Sequence, residues 1–157
     1  MNILFWLPLL AASLHIVEEF AWPGGFAVWY RSYLPDIAAS VSRRFLFWIN
    51  VALLFACFSV GVDGPSPYGA ALFLTVMALL FANGVFHFIA TMKGKRYSPG
   101  VVTGVALYLP LAIAGYAIIL RSHRASFGTA VVAVILGGSY QFISWSIHRR
   151  RAARLAG

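Results

Sequence analysis

This sequence predicts an all-α bundle of membrane-crossing helices, and three observations predict it. Of 157 residues, 61% are hydrophobic and 10% charged, against about 45–50% and about 25% in ordinary soluble domains. The mean hydropathy is +0.83. The apolar residues fall into five runs of about 18–23 residues, each able to cross a hydrocarbon core as a helix, and none alternates polar with apolar as a barrel strand would. A soluble domain of this size exposes more surface than sixteen formal charges can cover. A soluble enzyme and a disordered chain are therefore both set aside.

The first run covers residues 3–20, is interrupted by Pro8, and ends in His15, Glu18 and Glu19. It has no basic leader, and two glutamates stand where a cleavage site would need small residues, so it reads as a span rather than a secretion signal. Trp22-Pro23-Gly24-Gly25 then makes a turn. The stretch to Arg44 is too polar to span, but its Trp29, Tyr30 and Tyr33 are interfacial anchors, which predicts a short helix on the membrane surface within residues 26–42. The remaining spans are predicted at residues 45–62, 70–92, 101–120 and 127–147. In the fourth, Gly100 and Gly104 permit close packing and Pro110 a kink. Residues 1–148 form one transmembrane domain, and 149–157 a basic tail. The single cysteine, Cys57, cannot form an internal disulfide.

The net charge of +8 is a topological signature. With five spans, the first loop, the third loop and the C-terminus share one side. They hold Arg31, Arg43, Arg44, Lys93, Lys95, Arg96, Arg149, Arg150, Arg151 and Arg154, ten basic residues against Arg121 and Arg124 on the other side. The positive-inside rule gives a multi-pass protein of the inner (plasma) membrane, N-terminus outside and C-terminus cytoplasmic. No RNA-binding or zinc-finger pattern accompanies the charge, so the expected partner is the lipid bilayer and no nucleic acid.

With this topology the polar residues inside the spans share one depth, the inner-leaflet half. His15, Glu18 and Glu19 end the first span. Asn50 lies six residues into the second, roughly 9 Å deep. Asn83 and His87 precede Lys93 in the third, Thr103 opens the fourth, and Gln141 and Ser144 lie near the end of the fifth. His15 shares a helix face with Glu18 (i, i+3) and Glu19 (i, i+4), and Asn83 shares one with His87 (i, i+4). Gly137, Gln141, Ser144 and His148 make a third stripe. Asparagines and glutamines often serve only to join helices, and His148, beside the basic tail, reads as interfacial. Two carboxylates and two histidines at one depth mark a functional site.

His15, Glu19 and His87, with Glu18 as a further ligand, suit one divalent metal such as zinc, iron or manganese. Without metal, Glu18, Glu19, His15 and His87 suit general acid–base catalysis. Asn50, Asn83 and Gln141 would stand beside these groups, and Arg96 or Tyr97 would cap the site, pairing with Glu18 or an anionic headgroup. Thiolate sites, a serine triad, a P-loop and a dinucleotide fingerprint are absent. The expectation is an enzyme acting on a lipophilic small molecule. The alternative is a proton- or cation-coupled carrier, or a small-molecule-binding module, with the glutamate pair as its coupling site. A five-helix carrier would need a homo-oligomer.

His15-x-x-Glu18-Glu19, Trp22-Pro23-Gly24-Gly25-Phe26, Asn83-x-x-x-His87 and Arg96-Tyr97-x-Pro99-Gly100, in that order, resemble the HXXEE-domain family of small bacterial integral membrane proteins. The likeness runs to about the fourth span. It implies a membrane location and brings no substrate or reaction.

Overall fold

The structure is a computed structural model describing residues 3–21 and 25–156. It is helical, without strands among the described residues. Five helices are long and apolar enough to cross a membrane. We number them with the short helix between the first two: α1 Ile3–Ala21, α2 Phe26–Tyr33, α3 Arg43–Asp63, α4 Pro67–Gly94, α5 Val101–Arg121 and α6 Phe127–Leu155. The predicted spans are these five helices, extended by up to three residues at their ends except in α6. That helix passes a one-residue break at Ser139 and carries the basic segment onward as helix. The surface segment is α2 followed by a 3-10 turn, Pro35–Ser40. Trp22, Pro23 and Gly24, the heart of the expected turn, lie outside the described residues.

Local chemistry sets the ends. Ser42, Ser66 and Ser126 each accept a backbone N–H three residues on, from Phe45, Gly69 and Thr129, at 3.2, 2.9 and 3.0 Å. Each satisfies a donor that a helix start leaves unpaired. Pro67 occupies the first position of α4, where its missing N–H is no loss. In α1 a 3-10 turn, Ile3–Trp6, passes into α-helix at Leu7, so Pro8 falls in the first α turn instead of breaking the span.

α4 is the central helix and packs against all four other long helices. Its glycine at 84 meets Gly104 of α5 so closely that a Cβ on Gly84 would stand 2.9 Å from the Gly104 carbonyl oxygen. At that point α5 widens into a π segment, Gly104–Tyr108, with the Leu109 N–H bonded five residues back to Gly104. The extra residue just before Pro110 turns Tyr108 fully into the core.

The bundle has two unlike halves. Where α1 begins, α3 ends and α4 begins, Phe5, Cys57, Val60, Phe73, Leu74 and Met77 are sealed together with Ile119 of α5 and Ala130 and Ala133 of α6. The opposite half holds the buried polar residues His15, Glu19, Ser40, His87, Ser98 and His148.

Candidate functional site

The helical spacing of α1 stacks His15 over Glu19, and α4 brings His87 in from the opposite side. The Glu19 Oε1 atom lies 3.4 Å from His15 Nε2 and 3.3 Å from His87 Nε2. All three residues are buried, with 1%, 6% and 0% of their surfaces exposed for His15, Glu19 and His87. Both Nε2 atoms are inaccessible, and neither makes a hydrogen bond. A buried polar atom without a partner is uncommon and costs about 1–3 kcal/mol. Here two such atoms and a carboxylate oxygen converge, and the three ligand atoms fit within 4.8 Å of one another, a set that can hold a metal ion. The two rings meet edge to face at 5.0 Å between centroids.

The far side of each imidazole is held. His87 Nδ1 is 2.9 Å from Ser98 Oγ, and His15 Nδ1 is 2.8 Å from Thr103 Oγ1. The Thr103 hydroxyl has one proton, and it is donated to Glu18 Oε2 at 2.5 Å. His15 must then donate its Nδ1–H to Thr103, so a neutral His15 presents a bare Nε2 lone pair to the centre.

Glu18, read from the sequence as a further ligand and a catalytic group, is placed differently. It is not among the converging ligands. Its carboxylate accepts four hydrogen bonds: from the Thr103 hydroxyl, the Thr103 N–H at 2.7 Å, the Val102 N–H at 3.0 Å and the Tyr97 hydroxyl at 2.5 Å. Neighbouring positions on a helix point about 100° apart, so if Glu19 faces the bundle interior, Glu18 faces the start of α5. There its negative charge meets the free N–H groups and positive dipole end of the helix. Tyr97, read from the sequence as a cap, meets the site through this bond to Glu18. Partial burial, and then the hydrogen bond to the Glu18 carboxylate, hold its phenol well above the usual range. Arg96 is exposed and does not line the interior cavity.

Gly100 connects the two parts. Its φ of +100° is a left-handed value, and a Cβ there would lie 2.7 Å from His15 Cε1 and 2.9 Å from His87 Cε1. Only glycine lets the loop cross directly over both rings. Tyr108, delivered by the π segment, covers the other face of His15 at 4.5 Å between centroids, and Phe26, Trp29 and Phe86 surround His87.

Glu19 also forms part of the wall of a cavity of about 230 Å³ between α3, α4 and α6, closed at one end by α2. Asn50, Asn83, Gln141 and Ser144, placed at one depth by the sequence, all line it. His148 belongs to this cavity too: it is buried, with Nδ1 2.7 Å from Ser40 Oγ and its ring against Phe45. The sequence placed His148 at the interface beside the basic tail; the structure adds that it lines this cavity, for which its place on the Gln141–Ser144 stripe was the signal. Ser98, Tyr108, Tyr30 and Tyr140 carried no such signal; Tyr108 reaches His15 only because the π segment shifts its phase.

A family model described as "Protein of unknown function with HXXEE motif" matches residues 6–115. That range includes His15, Glu18, Glu19, His87 and Thr103 and stops before α6. The chain is similar to "Uncharacterized protein YrkK" of Bacillus subtilis (strain 168), 24% identical over 132 residues, covering 80% of this chain and 84% of that one. No solved structure matches.

Proposed function

We propose that this chain, which belongs to the family of proteins of unknown function with the HXXEE motif, holds one divalent metal ion on His15, Glu19 and His87 and uses it on a lipophilic molecule admitted to the adjoining cavity. The observation that carries this reading is the pair of buried Nε2 atoms that converge on one Glu19 oxygen without a hydrogen bond. Ligand atoms about 2.0–2.1 Å from a tetrahedral zinc stand about 3.3 Å apart; the two nitrogen–oxygen separations here are 3.4 and 3.3 Å, and all three ligand atoms lie within 4.8 Å of one another. Two neutral imidazoles and a carboxylate suit zinc, iron or manganese. Three protein ligands leave a coordination position open, the arrangement of a catalytic rather than a structural ion. The ion would polarise a substrate oxygen or lower the pKa of a bound water. The chain's residues orient the ligands through Thr103 and Ser98 and exclude water with Tyr108, Phe26 and Trp29.

In this reading the protein is a multi-pass protein of the plasma membrane with its site in the cytoplasmic half, because the basic residues lie at that end. Carriage across the membrane, with Glu19 as the coupling group, is less well supported. In the other half of the bundle side chains such as Phe5, Phe73 and Met77 are sealed together, and the cavity between α1 and α5 beside them is lined by apolar residues such as Leu7, Leu10 and Leu111, with no ionisable group for a coupled ion among the described residues.

Metal analysis of the purified protein tests the reading. Wild type is expected to carry about one ion per chain, and His15→Ala and His87→Ala less than about a tenth of that. No stoichiometric metal in wild type would sink the metal site and leave acid–base chemistry at Glu19. Proteoliposomes separate chemistry from carriage: altered product supports an enzyme, whereas accumulation of unchanged substrate that fails with Glu19→Gln supports a carrier.

A further inference from the structure

The cavity beside Glu19 is lined by amides that pair with none of the described residues. Asn50 comes from α3, Asn83 from α4 and Gln141 from α6, and all three face the same space. Amides inside apolar spans ordinarily bond across helices, and joining helices is their usual role. These three make no hydrogen bond to any described residue, although they sit around one volume. Each therefore offers donors and an acceptor to whatever occupies the cavity.

His148 adds a further group of known polarity. The Ser40 hydroxyl donates its proton to the Ile37 carbonyl at 2.7 Å, so the ring must donate its Nδ1–H to Ser40 Oγ, also at 2.7 Å. Its Nε2 is left as an acceptor. Tyr30 lines the same wall, and burial pushes its phenol up to about 12, so it remains an uncharged donor. Among the described residues no lysine or arginine lines the cavity, and Glu19 is the one acidic group there. Apart from the ion that Glu19 would share, an anionic head would find no counter-charge along this wall, whereas the amides, the His148 Nε2 and the Tyr30 hydroxyl together offer the donors and acceptors that an uncharged head needs. The rest of the wall, including Phe45, Ile49, Leu53 and Leu79, is apolar.

We infer that the cavity binds a neutral amphiphile, its uncharged hydroxyl- or amide-bearing head hydrogen-bonded by Asn50, Asn83, Gln141 and His148 and its apolar body lying along α3. This deepens the proposed function and rests on it for the cavity's role as the substrate's place. The head lies beside Glu19, within reach of the metal ligands.

Three ten-carbon probes that differ in the head test it: monodecanoylglycerol, decanoate and decylammonium. Each is titrated into the purified full chain in nanodiscs and read by native mass spectrometry, with metal content measured on the same samples. Wild type is expected to bind the glycerol ester at least about tenfold more tightly than either charged probe. Asn83→Leu and Gln141→Leu are each expected to weaken it by about fivefold, the value of one hydrogen bond, with metal content unchanged. Asn50→Leu serves if either variant fails to fold. Equal binding of the three heads, preference for a charged head, or full preference retained in the leucine variants would overturn the inference. Head preference in a wild type that holds no metal would keep this inference and remove the metal site, whereas bound metal without head preference would do the reverse.

Discussion

Glu18 and Glu19 are adjacent in the chain, yet they build two regions of opposite character. Around Glu18 the carboxylate receives four hydrogen bonds, ties the end of α1 to the start of α5, and holds His15 in one tautomer through Thr103. Around Glu19 two imidazole nitrogens approach to 3.3 and 3.4 Å, are buried, and make no hydrogen bond. A polar group whose bonds are all made within the protein has nothing left to offer a ligand. One held short of its bonds, by a surround that is otherwise satisfied, stores binding capacity. In the reading proposed above, the contrast makes Glu18 a positioning residue and Glu19 the ligand.

The largest expected effect breaks that contrast at its centre. Glu19→Gln keeps the shape and removes the anionic ligand, so metal content should fall from about one ion per chain to below about a tenth, with the helical fold retained by circular dichroism. Metal retained in this variant would show that Glu19 is not the ligand. Gly100→Ala attacks both regions at once. The new Cβ meets both imidazoles at 2.7–2.9 Å on a backbone of φ +100°, so a loss of about 1–3 kcal/mol in stability should accompany loss of metal. Wild-type melting and full metal occupancy would contradict the placement of the loop over the rings.

Thr103→Val sharpens the contrast, because it cuts the link between the two regions without altering either glutamate. The hydroxyl that bonds both Glu18 and His15 Nδ1 disappears at nearly constant volume. Such supporting partners typically contribute 10–100-fold to metal affinity. Competition with a chelator should therefore show about that weakening, and Thr103→Ser should recover most of it. A valine variant with unchanged affinity would reduce Glu18 to a joint between helices.

The fold was legible because each span is a long apolar run bounded by charge, glycine or proline, and the ends agree to within three residues except where α6 continues. The meeting of His15 and Glu19 with His87 was legible from one turn of spacing and a shared depth. Three things were not. Glu18 and Glu19 share composition and neighbourhood, and their roles separate only through what α5 presents to each. Ser98 is a small hydroxyl residue of a kind found in any membrane protein, and Thr103, though placed at the right depth, shows no link to Glu18 and His15 until the loop folds back over the rings. Tyr108 lies off the polar stripe of a regular helix, and the π segment that moves it follows from Pro110 and the Gly84–Gly104 contact together.

The smallest effect tests the rim of the Glu18 region. Tyr97 is the one bond to Glu18 that comes from an exposed side chain outside the spans, so Tyr97→Phe should lower stability by only about 0.5–1.5 kcal/mol and leave metal content unchanged. Its pH dependence has a definite sign. The folded phenol ionises above its ordinary value because of burial and the Glu18 carboxylate, so the folded state keeps a proton that the unfolded chain releases near pH 10. The contribution of Tyr97 is complete below that pH and is lost as the pH rises beyond it. Melting curves of wild type and Tyr97→Phe should differ by a constant amount from pH 7 to 9 and draw together above pH 10. A gap that widened with pH, or a metal content that fell with the hydroxyl, would mean that Tyr97 acts on the centre itself and that the boundary between the two regions lies elsewhere.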